Sequence, residues 1–179
     1  MKTVICAVIL IFGMAASAFA QKREQVQIPA SEGRSLSGVL FLPDAPGPAP
    51  SVIVLHTSYG SVESSDEDYA RALAKEGYVA LAPNYIHSSF GERVWTPGIT
   101  ADMSALVDYL RQRPEARDMP VATVGFSLGS RGLLLAARRP EVKAVVVYYG
   151  TFDARKEKGV KLPPSVPMPI SVAGQVNAA

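Results

Sequence analysis

Three short runs almost free of polar residues constrain this chain more than anything else in it: SVIVLH ending at His56, YVALAPNY ending at Tyr85, and VATVGF ending at Phe126. Runs of that length suit strands, and a strand that is apolar on both faces belongs to a parallel sheet with layers above and below it. Parallel neighbours need a crossover, and the intervening sequence supplies one each time. SSDEDYARALAKEG has an acidic start, Tyr69, Ala70, Leu73 and Ala74 at helical spacing, and Gly77 as a stop signal. TADMSALVDYLRQRP puts Met103, Leu106, Val107 and Leu110 on one face. LGSRGLLLAARRP is helical, and VKAVVVYYG and MPISVAG read as two more strands. Ahead of them VQIPASEGRSLSGVLFLP reads as an antiparallel hairpin around Glu32 and Gly33. The pattern predicts a three-layer α/β domain with a mostly parallel, right-handed sheet. In such sheets the ligand crevice lies beyond the carboxyl ends of the strands, where HTSYG, NYIHSSFG, SLGS and YYGTFD leave.

The first twenty residues stand apart. Lys2, the apolar run Val4 to Met14, and Ala18 and Ala20 around Phe19 read as a signal peptide over residues 1–20, cleaved after Ala20, with the domain proper over 25–179. The apolar run is short for a membrane span and the polar QKREQ follows it, so no stable membrane anchor is expected and the product is expected to be secreted or periplasmic. Cleavage would remove the one cysteine, Cys6, leaving no disulfide to support the core. The net charge of +2 falls further when Lys2 leaves, which argues against nucleic acid or anionic lipid as a partner.

Gly125-x-Ser127-x-Gly129 sits where the strand VATVGF becomes a helix. A nucleophile elbow needs strained backbone at the serine and close passage of the neighbouring chain, which side chains two residues away would obstruct. The helix expected from about Leu128 would turn its free N–H groups toward charge developing at Ser127. An ordinary strand-to-helix turn softened by glycine is the bland alternative.

Over residues 25 to 177 the chain resembles the dienelactone hydrolase family of α/β-hydrolases, on VIVLHTSYG, GYVALAPNY, VGFSLGS and VVVYYG. The resemblance implies the α/β-hydrolase fold and a small-molecule ester or lactone as substrate. It also implies an oxyanion hole built from the backbone N–H groups of Leu128 and Ser58, with His56 as a packed residue shaping the loop. Two positions depart from the family: Ser127 stands where a cysteine is usual and Thr57 where a glutamate is usual. These changes agree with each other, because a carboxylate that gates a thiol has no task beside a hydroxyl. The catalytic residues expected are therefore Ser127, with Ser58 and Leu128 as oxyanion donors.

A serine nucleophile needs a base, normally a histidine oriented by a carboxylate and reached in the order Ser, Asp or Glu, His. Here Asn177 occupies the place that resembles the family's aspartate, and only His56 and His87 exist. The fold is thus expected to be incomplete at its C-terminus. A catalytically impaired or truncated hydrolase, or an interrupted reading of a longer one, is the alternative to an active esterase. Asp66, Glu67 and Asp68 read as a charged helix start, Tyr148 and Tyr149 as strand-end packing, and Asp153 as a rim residue without a role. No cofactor and no metal are expected. A homo-oligomer through the exposed apolar edge of MPISVAG is expected as a consequence of the missing cover.

Overall fold

The structure, a computed structural model, describes residues 21–57, 65–85, 98–150 and 152. Ser58, His87, Asp153, the strand expected at MPISVAG, Asn177 and the leader lie outside these residues. Among the described residues six strands form one sheet: β1 (Arg23–Pro29), β2 (Ser35–Phe41), β3 (Ser51–Leu55), β4 (Val79–Asn84), β5 (Val121–Phe126) and β6 (Val142–Tyr148). Their order is β1-β2-β4-β3-β5-β6. β1 and β2 form the expected antiparallel hairpin, joined through a 3₁₀ turn at Ser31–Gly33 in which Glu32 takes φ +58°. β2 then pairs antiparallel with β4, while β4, β3, β5 and β6 run parallel. Crossing over from β3 to β4 is α1 (Ser65–Lys75), and from β4 to β5 is α2 (Gly98–Gln112).

The two faces divide the apolar residues as the periodicities require. Leu36, Leu40, Ile53, Leu55 and Leu81 point one way, under Met103, Leu106, Val107 and Leu110 of α2 and Leu135 beyond β5. Val39, Phe41, Val54, Ala80 and Ala82 point the other way, under Ala70 and Ala74 of α1. Every residue of β3 is buried, which is why its sequence shows no alternation. The last described strand differs: Val146 and Tyr148 of β6 are 45% and 43% exposed. The α1 side of the sheet is thus covered over β2, β4 and β3 and open at β6 among the described residues.

A buried carboxylate ties the hairpin to this frame. Asp102 of α2 is almost wholly buried and accepts from Arg34 and, at 2.7 Å, from the Ser31 hydroxyl. Withdrawing a charge from water is costly unless it is paired and hydrogen-bonded, and this pair meets that condition.

Candidate active site

β5 ends at Phe126 with extended backbone, and Ser127 follows at φ +50°. A residue with a side chain rarely adopts that conformation, and holding it there costs about 1–3 kcal/mol, so the surroundings must enforce it. They do so by contact. A methyl placed on Gly125 would lie 2.1 Å from the Gly129 carbonyl oxygen, and one on Gly129 would lie 2.4 Å from the Leu55 carbonyl oxygen at the end of β3. The chain therefore doubles back on itself between the two glycines and against the neighbouring strand. This is the strained strand-to-helix turn expected at Ser127, and it leaves the serine half-buried with Leu128 closed in behind it.

The helix after the turn is not the regular one expected from Leu128. Ser127–Arg131 is a 3₁₀ turn, and α3 covers only Gly132–Ala136. Tight approach to β5 explains the winding: a Cβ on Gly132 would meet Thr123 Oγ1 at 2.4 Å. With so few aligned peptides the macrodipole is small, and stabilisation of charge at Ser127 would rest on individual N–H groups such as that of Leu128.

Next to the elbow lies the end of β3. His56 is 1% exposed, and its Nδ1 donates to the Thr57 carbonyl at 2.6 Å. The Tyr85 hydroxyl donates to the His56 carbonyl at 2.8 Å, and the two rings stand 4.3 Å apart at a 33° tilt. Burial pulls the His56 pKa down to about 4, outweighing the Thr57 carbonyl and the Asn84 side chain, which favour the charged form. A buried imidazole with so low a pKa is a weak base, and its Nδ1 proton is held by its own loop at the Thr57 carbonyl. It is the sole histidine among the described residues.

Sequence reasoning missed a buried polar group behind the elbow. Arg131, four residues after the nucleophile, is 1% exposed, and burial lowers its pKa to about 10. It lies within electrostatic reach of Tyr85, whose own pKa is raised by burial, eased down by Arg131 and pushed up by Asp66. The only signal was a lone charge in the apolar and small stretch SLGSRGLLLAA. Asp66, read as part of a charged helix start, is itself buried, whereas Glu67 reaches out to Arg23 at 2.9 Å.

Around the rim, Tyr148 stacks on Phe126 at 5.2 Å with a 13° angle, and Tyr69 meets Phe126 edge-on at 5.5 Å. Tyr149 takes φ +42° and is 74% exposed. Strand-end packing thus describes Tyr148 better than Tyr149.

The dienelactone hydrolase family model matches residues 36–175, which include the elbow, the loop after β3 and all four parallel strands. A Synechocystis protein named as a carboxymethylenebutenolidase is 33% identical over 161 residues, covering 80% of this chain and 65% of its own. A Bradyrhizobium protein named as a 2-oxo-3-(5-oxofuran-2-ylidene)propanoate lactonase is 31% identical over 137 residues, covering 69% of this chain and 54% of its own. This chain therefore spans about half to two thirds of the length of these relatives. A solved Klebsiella pneumoniae structure described as a dienelactone hydrolase superposes with a TM-score of 0.72 at 26% identity, over 88% of this chain and 70% of that one. A Pyrococcus furiosus esterase shares the fold, with a TM-score of 0.70 at 18% identity over 87% of this chain and 68% of its own. The strained serine turn, the loop beside it and the mostly parallel sheet are thus parts of an α/β-hydrolase fold, and the chain belongs to the dienelactone hydrolase family.

Proposed function

We propose that the chain carries the nucleophile and oxyanion side of a hydrolase that acts on a small-molecule carboxylic ester or lactone. The observation that carries this reading is Ser127 at φ +50°, enforced by backbone contacts at Gly125 and Gly129. Ser127 attacks the carbonyl carbon, and the N–H groups of Leu128 and Ser58 receive the charge that collects on the carbonyl oxygen. The names of the relatives support a lactone or similar ester as substrate. Hydrolysis of a short-chain p-nitrophenyl ester by wild type and S127A tests the role of the serine: loss of turnover in the variant is expected, and equal rates would overturn it. Export by removal of residues 1–20 after Ala20 belongs to the same proposal, and N-terminal sequencing of the protein recovered from outside the cytoplasm checks it.

A second reading has its own observation. His56, the sole histidine among the described residues, is buried and its pKa is pulled down to about 4, which makes it a poor base for Ser127. Without a base, a serine elbow keeps its binding geometry and the modest rate that an oxyanion hole gives alone, roughly 10³ to 10⁴ over water. The chain would then act as a hydrolase-like binding protein. Rapid labelling of Ser127 by a fluorophosphonate supports the hydrolase and counts against this alternative.

A further inference from the structure

Resting on the reading of Ser127 as nucleophile with the Leu128 N–H as an oxyanion donor, we propose that Arg131 is the electrostatic support of the elbow. Its buried guanidinium supplies the fixed positive charge that the short α3 cannot, and it adds its field to that of the Leu128 N–H. Being buried, it works through that field and not by touching substrate.

The winding of the turn sets up the arrangement. Ser127–Arg131 is a 3₁₀ helix, in which residues three apart eclipse, so Arg131 lies on the same face as Leu128. Arg131 is 1% and Leu128 2% exposed, and that face is therefore the one turned into the core. The Cα–Cβ bond of a helical residue tilts toward the N-terminus, so the Arg131 side chain sets out toward the Ser127 end of the turn. It is rooted just beyond β5 and lies within electrostatic reach of Tyr85, which follows β4, with β3 between the two strands. The charge is thus held at the level of the strands' carboxyl ends, where Ser127 stands, and not deeper in the core.

A long helix places the equivalent of about half a positive charge at its N-terminus. Here α3 has five residues and the turn before it is 3₁₀. One guanidinium carries a whole charge, and a buried charge is screened little by salt. Four residues of 3₁₀ rise put Arg131 about 8 Å along the turn from Ser127. At that distance, with an effective dielectric of about 20, it favours a transition state bearing one negative charge by roughly tenfold or more. A neutral ester in its ground state feels little of this, so the effect falls on kcat. Asp66, buried in the first turn of α1, opposes Arg131 at Tyr85, but of the two charges only Arg131 is built into the turn that carries Ser127. Withdrawing a guanidinium from water is costly, and a methionine would fill much the same space without that cost.

The test compares wild type with R131K, R131Q and R131M in the full chain, each first shown to be folded by its amide spectrum. R131K keeps the charge, R131Q keeps hydrogen-bond donors without it, and R131M keeps bulk alone. With p-nitrophenyl acetate, kcat in R131Q and R131M should fall roughly tenfold with KM unchanged, and R131K should recover most of the loss. An arginine that only braces the turn predicts another order, with R131Q at or above R131K. That order, or unchanged kcat in R131Q or R131M, would overturn the proposal. A second measurement needs no variant. The Arg131 Nε–H, shielded from exchange by burial, should shift in the NMR spectrum of wild type when a boronic acid forms its anionic adduct on Ser127, and a resonance that stays in place would also overturn it. Failure of the nucleophile reading looks different: S127A would hydrolyse the ester as fast as wild type, wild type would form no adduct, and the proposal would fall with that reading.

Discussion

The elbow at Ser127 and the end of β3 lie side by side, with Gly129 against Leu55, and are held in opposite ways. The elbow is shaped by missing atoms: Gly125 and Gly129 let backbone pass where a methyl would sit 2.1 Å and 2.4 Å from a carbonyl oxygen. The loop is shaped by added atoms, the imidazole of His56 and the phenol of Tyr85, each spending a hydrogen bond on a backbone carbonyl. A steric constraint fails completely when violated, because interiors are close-packed and cannot yield by an ångström. A hydrogen-bonded constraint fails by degrees and responds to protonation.

The largest expected effect follows from the steric side. G125A and G129A should each cost 3 kcal/mol or more, at or beyond the usual range for overpacking, because the atom to be displaced is backbone. Urea denaturation of the soluble variants measures this. A loss below about 1 kcal/mol in either would show that the turn can open and that the strain at Ser127 is not enforced from outside.

The loop should show its sensitivity through pH. His56 has a folded pKa of about 4 against an ordinary value of 6.5, so the unfolded chain binds a proton first as the solution is acidified. Stability is then full above pH 6.5 and declines as pH falls toward 4, by about 3 kcal/mol over that window. Glu24 and Glu141 also lose stabilising charge in acid, since cationic partners hold their pKa values below 4.5. Their effect comes below pH 4.5, where the His56 window is nearly exhausted. Denaturation midpoints at pH 7 and 5 for wild type and H56N separate the two, with the slope expected in wild type and absent in H56N.

Both the sheet and the elbow could be read from the sequence because each rests on local pattern. β3 is buried throughout and its sequence is apolar from Val52 to Leu55, while Met103, Leu106, Val107 and Leu110 repeat at helical spacing and all lie in the core. Gly125, Ser127 and Gly129 announce a turn within five residues. The grip on the loop has no local pattern. Asn84 and Tyr85 lie 28 and 29 residues from His56 and meet it only because β3 and β4 are neighbours in a defined register. Arg131 was equally hidden, since nothing in SLGSRGLLLAA says that its guanidinium is buried within electrostatic reach of Tyr85. The 3₁₀ winding of Ser127–Arg131 depends on how closely β5 is approached, which is again tertiary.

A smaller effect is expected at Tyr85. Y85F leaves the buried His56 carbonyl without its 2.8 Å partner, which should cost about 1–2 kcal/mol. Thermal denaturation checks it, and a cost near zero would mean that ring stacking alone holds the loop.

The smallest effect has the opposite sign. If Ser127 is strained by its neighbours, then S127G should relieve the strain, because glycine adopts positive φ without steric cost. Part of that gain is returned through the greater freedom of glycine in the unfolded chain, leaving about 1 kcal/mol of net stabilisation. S127A removes the same hydroxyl but keeps Cβ and therefore the strain, so it should stay near wild type. The difference between the two variants isolates backbone strain from the loss of the side chain's polar contacts, and thermal denaturation of both proteins side by side measures it. A stabilised S127G beside an unchanged S127A would show that the fold gives up stability to hold a serine at this turn, as a site built to aim a nucleophile must.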